Sequence, residues 1–529
     1  MNDWTRYLKN QVTLGAMNRR EFMGRAAAAG LAATTAGTLF STAAEAQEPK
    51  RGGHLKLGLE GGSATDSKDP AKFLSQIMFC VGRCWGDMLV ESHPTTGAAV
   101  PALAESWEPS ADAATWTFKI RKGVTFHNGK ELTVEDVVKT LQRHTDAKSE
   151  SGALGVVKSI KEIKADGDNV VLTLSEGNAD MPLLLTDYHL VIQPNGGYDD
   201  PFASIGTGPY KLLTFEPGVR ATFERNKDDW RSDRGYVDSI EIINMNDATA
   251  RVAALSSGQV HFINRVDPKT VSLLKRAPTV EILSTSGRGH YVFIMHCDKA
   301  PFDNNDLRLA LKYAMDRETM VQKVLGGYGK VGNDFPINST YALFPEGIEQ
   351  RVYDPDKASF HYKKSGHSGS VLLRTSEVAF PGAVDAAVLY QESCKKAGIA
   401  IDIKREPGDG YWSNVWNVQP FSTSYWGGRP TQDQMYSTAY LSTADWNDTR
   451  FKRPDFDKIL LEARAELDEA KRKDMYRTMA MMVRDEGGLI LPMFNDFVNA
   501  SSKKVKGYVH DIGNDMSNGY VATRVWLDA

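Results

Sequence analysis

The sequence predicts a two-lobed α/β protein. Segments that read as strands dominate before residue 290, and strand–helix–strand units follow it. A late apolar strand, Leu489-Ile490-Leu491-Pro492-Met493-Phe494, returns after the last long helices. At 529 residues the chain is long enough for more than one buried core.

Residues 1–46 read as an export signal rather than as part of the fold. Asn18-Arg19-Arg20-Glu21-Phe22-Met23 precedes an uncharged, Ala-, Gly- and Thr-rich stretch that ends in Ala44-Glu45-Ala46. A positive start, a weakly apolar middle and small residues at the exit describe a cleavable signal. The arginine pair followed by Phe22 resembles the twin-arginine type. Alanine and threonine supply too little transfer energy for a stable membrane anchor. The mature chain is expected to begin near Gln47 and to be free in the periplasm.

Residues 47–289 are expected to form the first lobe. Trp116, Phe118 and Ile120 alternate with polar residues as in a half-buried strand, and Asn128-Gly129 marks a turn. Thr133 and Asp136 form a capping box for a short helix with Val137, Val138 and Leu141 inward. Residues 170–176 read as a strand, and 206–226 as two strands around Pro217-Gly218. Residues 248–262 read as a helix closed by Gly258 and then a strand.

Residues 290–490 are expected to form the second lobe. Leu307, Ala310, Leu311 and Ala314 share one helical face, and Asp316 opens a further helix that stops at Gly326-Gly327. Residues 371–376, a helix between Pro381 and Gly398, and residues 399–404 make a parallel βαβ unit. Two amphipathic helices fill 455–486, and residues 491–529 rejoin the first lobe.

Composition and motifs exclude several functions. The net charge is −4 and basic residues are scattered, without the basic stripe of a nucleic-acid binder. There is no G-x-S-x-G elbow, no H-E-x-x-H and no P-loop, so no enzyme class is indicated and a hydrolase is kept only as the last alternative. Cys80 and Cys84, four apart in a helix-like stretch, read as buried thiols, whereas a Cys297–Cys394 bridge is left open. His290 and His296 are too far apart on an extended strand to share one ion, and Met475, Met479 and Met482 sit at core spacing. No metal or cofactor is expected.

Ala104–Ser110, Lys122–Val137, Gly206–Leu212, Glu224–Trp230 and Ala250–Val260 occur in an order similar to that of extracellular solute-binding proteins of family 5, as do 307–327, 353–358 and 453–479. The resemblance covers nearly all of the mature chain. It implies a bilobal periplasmic-binding-protein fold of type II, with an extra subdomain at about 96–195 in the first lobe. It also implies a hinge, a ligand held in the cleft, and an ABC permease in the inner membrane as partner, with no chemistry done. Peptides are the commonest cargo implied; nickel complexes, haem, opines and sugars are the alternatives. The chain is expected to act as a monomer.

Within that frame, residues 424–433, SYWGGRPTQD, are the leading site. A guanidinium grips a carboxylate in a bidentate fork, aromatic walls add area at small entropic cost, and glycines allow close main-chain approach. Arg429 is therefore expected to hold a carboxylate, with Tyr425, Trp426 and Gly427 against the ligand body. Asp433 is the nearest match to the aspartate that binds the amino end in peptide-binding relatives. Arg374, at the carboxyl end of a parallel strand, is a second candidate for the carboxylate. Ser63, the 333–336 turn and Gly287-Arg288-Gly289-His290 complete the set.

Overall fold

The structure, a computed structural model, describes residues 49–528 except 74, 147, 378 and 408–410. The export signal and the start expected at Gln47 lie outside the described residues.

One mixed sheet runs through the molecule. Its strands are β1 (His54–Leu59), β2 (Tyr210–Glu216), β3 (Arg220–Arg225), β4 (Ser239–Asn244), β5 (Phe262–Ile263), β6 (Val280–Met295), β7 (Gly329–Val331), β8 (Val371–Thr375), β9 (Ile401–Arg405), β10 (Phe421–Trp426) and β11 (Leu489–Ser502). The spatial order is β9-β8-β10-β6-β11-β5-β1-β4-β3-β2, and β7 adds to β11. Strands β8 and β9 are parallel, as the βαβ reading requires.

Strands β6 and β11, 16 and 14 residues long, tie the two halves together. Val280–Ser286 pairs with Asp496–Ser502, the register then breaks, and His290–Ile294 pairs with Leu489–Phe494. The break holds Gly287-Arg288-Gly289. A Cβ on Gly287 would meet the Phe497 ring at 2.9 Å and the Asn495 carbonyl oxygen at 3.1 Å, and one on Gly289 would meet the tip of the Asn495 side chain at 2.9 Å, so the break passes close to β11. The boundaries expected at 289/290 and 490/491 fall inside these two strands rather than between elements.

Each half has its own core. The first gathers Leu55, Leu57 and Leu59 of β1 with helix α1 (Gln76–Trp85) and a four-stranded antiparallel sheet, Ala104–Pro109, Thr115–Ile120, Asn169–Leu174 and Ile160–Asp166. Helix α2 (Val134–Thr145) opens with the predicted capping box of Thr133 and Asp136. In the second half, successive residues of β6 enter opposite cores. Phe293 and Met295 pack with helix α3 (Ala383–Lys396), whereas Val292 and Ile294 pack with α4 (Gln432–Ala439), α5 (Pro454–Ala465) and α6 (Glu469–Glu486). After β11 the chain returns, and Val505, Met516, Tyr520 and Val525 join the first core.

Candidate functional site

The site is built on the loop that leaves β10 beside the register break. Side chains alternate along β10, so Tyr425 is 51% exposed and Trp426 only 5%. Tyr425 pairs in register with Tyr291, whose ring stacks on Phe380 with centroids 4.4 Å apart. Gly427 faces open space, whereas a Cβ on Gly428 would lie 2.1 Å from Cβ of Arg288. The second glycine is thus needed for packing, and the first leaves the main chain approachable.

Two arginines hold this loop from its carbonyl side. Arg429 Nη1 donates to the carbonyls of Gly427 at 3.1 Å and Gly428 at 3.3 Å. Arg288 Nη1 donates to those of Arg429 at 3.2 Å and Pro430 at 2.9 Å, and Nη2 to Thr340 at 2.9 Å. The Arg429 N–H donates to the Tyr341 hydroxyl at 3.1 Å, while Arg288 lies 4.7 Å above the Tyr341 ring. Among the described residues no carboxylate pairs with either guanidinium, and burial pulls both down from the usual arginine value. Both cations are thus held by main-chain carbonyls rather than by a counter-charge.

Arg429 also looks across to the first half of the molecule. Burial raises the Tyr188 hydroxyl, then the Asp187 charge, and the positive charge of Arg429 opposes both. Tyr188 packs on Phe79 of α1, with ring centroids 3.7 Å apart. The Arg429 charge is thus felt at Tyr188 of the first half. Neither Tyr188 nor Tyr341 was marked by any motif, because only folding brings them near Arg429.

Other expected site residues turn out to be committed to the protein. Trp426 is no wall: its Nε1 donates to Asp448 Oδ2 at 3.1 Å, and Trp416 Nε1 donates to the same oxygen at 3.0 Å. Burial pushes Asp448 up to about 7. Asp433 is buried in the first turn of α4 and accepts from Arg464 Nε at 3.1 and 3.2 Å, so it offers no free charge to a ligand amine. Burial, with Asp180 nearby, raises it to about 6 although Arg464 opposes the shift. Arg374 pairs with Glu406, which also meets Lys404, and so braces β8 on β9. Ser63 closes its own turn, with its N–H on Asp66 at 2.8 Å and its hydroxyl 2.9 Å from that of Thr65. In the 333–336 turn, Asp334 is fully buried between Arg317 and Arg351, at 2.6 Å from each. All four cysteines are free thiols. Burial lowers His290 and His296 to about 4.

The two halves also meet away from β6 and β11. Arg472 of α6 pairs with Asp180 of the first half at 2.7 Å, and the Ala179 N–H donates to the carbonyl of Arg464 at 2.7 Å.

Residues 98–448 match the bacterial extracellular solute-binding proteins, family 5. The chain belongs to this family. It is 24% identical over 461 residues to the dipeptide-binding protein of Escherichia coli strain K12, covering 80% of this chain and 86% of that one. It is 25% identical to the heme-binding protein A of Haemophilus influenzae over 80% of this chain and 83% of that one. The Helicobacter pylori periplasmic binding protein DppA, solved with the peptide STSA, superposes with a TM-score of 0.71 at 22% identity, over 91% of this chain and 99% of that one. HbpA2 of Haemophilus parasuis superposes with a TM-score of 0.79 at 20% identity, over 90% and 100%. The mixed sheet and its two halves are thus the bilobal α/β fold of periplasmic binding proteins. Among the described residues no helix is long and apolar enough to cross a membrane.

Proposed function

We propose that this protein is the periplasmic solute-binding component of an ABC importer. It encloses a carboxylate-bearing peptide or peptide-like small molecule between its lobes and delivers it unchanged to an inner-membrane permease. The observation that carries the reading is the guanidinium of Arg429, without a carboxylate partner among the described residues and set beside the open main chain at Gly427. Relatives named for dipeptides support it.

The arrangement binds without transforming. Arg429 takes the anionic group, Tyr425 and Tyr188 cover the ligand body, and the lobes exclude water so that each pairing counts for more. A ligand drives closure only as far as it binds the closed form better than the open one. The commitment of Asp433 to Arg464 turns the site away from a plain zwitterionic dipeptide and toward a cargo with surplus acidic groups. Export through the signal of residues 1–46 and action as a monomer complete the proposal.

Native mass spectrometry of protein recovered from its own periplasm tests it. The expected result is one copy of an intact, acidic small molecule per chain, lost in Arg429→Ala. A neutral cargo retained by that variant would overturn the reading.

A further inference from the structure

We propose that residues 176–180 of the first lobe and the α5–α6 corner of the second form a clasp that holds the lobes together, and that Arg464 is the positioning residue that transmits its engagement to the ligand loop. The proposal rests on the reading that solute binds between the lobes, but its test needs no solute.

Three contacts make the clasp. Arg472 Nη2 and Asp180 Oδ1 lie 2.7 Å apart, each side chain only 8% exposed. The Ala179 N–H donates to the Arg464 carbonyl at 2.7 Å, a main-chain bond between elements 285 positions apart in sequence. Arg464 Nη1 lies 3.9 Å from Glu176 Oε2, and next to it a Cβ on Gly177, which would strike the Asp112 carbonyl of its own half at 2.1 Å, would stand 3.1 Å from Cβ of Ala465. Asp180 leads into Met181 and Leu184 of the first core, whereas Ala463 and Tyr476 belong to a core of the second half. The contacts therefore join two bodies that β6 and β11 also link.

The chemistry suits a reversible closure. A buried ion pair gives up much of its Coulomb gain to desolvation, and both partners regain water when the lobes part. An apolar seam of the same size would expose bare hydrocarbon on opening. Arg472 is held ready on its own lobe, with Nε on the Ala463 carbonyl at 2.9 Å and Nη2 3.0 Å from the Tyr476 hydroxyl. It waits in place for Asp180 and need not be ordered at each closure.

Arg464 connects this corner to the binding loop. Its carbonyl is in the clasp, its Nε meets both oxygens of Asp433, and its Nη2 donates to Ser437 Oγ at 2.8 Å. Asp433 and Ser437 lie on α4, which starts two residues after Pro430 and is capped by Thr431. Displacing residues 176–180 releases the α5 end that fixes α4, and with it the loop carrying Arg429.

Hydrogen exchange on cargo-free mature protein tests the proposal, comparing wild type, Asp180→Asn and Arg472→Met. The amide of Ala179 reports the clasp, that of Arg429 the loop, and that of Leu491, bonded to buried Asp334 at 2.9 Å, the fold. Arg472→Met should speed exchange at Ala179 and Arg429 at least tenfold and leave Leu491 unchanged, with Asp180→Asn in between. Scattering should show a larger radius of gyration in the same order. Faster exchange at Ala179 alone would overturn the transmission through Arg464. Unchanged exchange at Ala179, or equal acceleration at all three amides, would overturn the clasp.

Discussion

Arg288 donates to the main-chain carbonyl of Arg429 across 3.2 Å, joining the register break of β6 to the loop that carries the Arg429 guanidinium. Arg288→Lys keeps the charge, but one ammonium cannot span the carbonyls of Arg429, Pro430 and Thr340 in a planar fork. Cargo affinity, measured by calorimetry with the solute recovered from the native protein, should fall about tenfold, equivalent to ~1.4 kcal/mol. Tyr341→Phe loosens the same loop by removing the acceptor of the Arg429 N–H, so the two changes should combine less than additively.

Arg429→Ala removes one partner of a charged pair closed off from water. The affinity loss should be about 2–5 kcal/mol, with Arg429→Lys recovering only part of it. Thermal stability should hardly move, since the Arg429 guanidinium bonds only to carbonyls of its own loop.

Arg374→Gln makes the opposite prediction. Because Arg374 is bound to Glu406, cargo affinity should stay within about twofold of wild type, a change within ~0.4 kcal/mol. A loss as large as that of Arg429→Ala would return Arg374 to the site.

Asp448 gives stability a pH dependence of definite sign. Its folded value is raised to about 7 from an ordinary 3.8, chiefly by burial, so between these values the native state holds the proton more tightly than the unfolded chain. That contribution is fully present below about pH 4 and is lost as pH rises through 7. Asp448→Asn keeps an oxygen for the indoles of Trp416 and Trp426 and removes the buried charge. It should stabilise the protein by roughly 2–4 kcal/mol more at pH 8 than at pH 4, read from denaturant midpoints at both.

Asp334 behaves in the reverse way. Burial alone would raise it, but Arg317 and Arg351 hold it at about 2, below its ordinary 3.8. Its contribution is present above about pH 4 and is lost as pH falls through 2. Asp334→Asn leaves two buried guanidinium groups without their shared counter-charge and should cost about 3–5 kcal/mol at pH 7 by denaturant unfolding.

Local elements were legible in the sequence because their signals are local. The capping box at Thr133, the hairpin at Pro217-Gly218 and the parallel unit of β8 and β9 all formed where periodicity and turn residues placed them. The lengths of β6 and β11 were hidden, since Gly287 and Gly289 look like loop residues until the bulge shows them passing against Phe497 and Asn495. The site divided in the same way. Arg429 was singled out by residue type and by its aromatic and glycine neighbours, and the structure leaves it without a carboxylate partner among the described residues. The engagement of Asp433 with Arg464, of Trp426 with Asp448 and of Arg374 with Glu406 depends on partners between 22 and 32 positions away, which no motif encodes.

The most direct test is a crystal structure of the natively exported protein with the solute it carries. The expected result is an intact molecule between the lobes with an anionic group on the guanidinium of Arg429 and its body between Tyr425 and Tyr188. An uncharged solute that touches neither Arg429 nor Arg288 would contradict it.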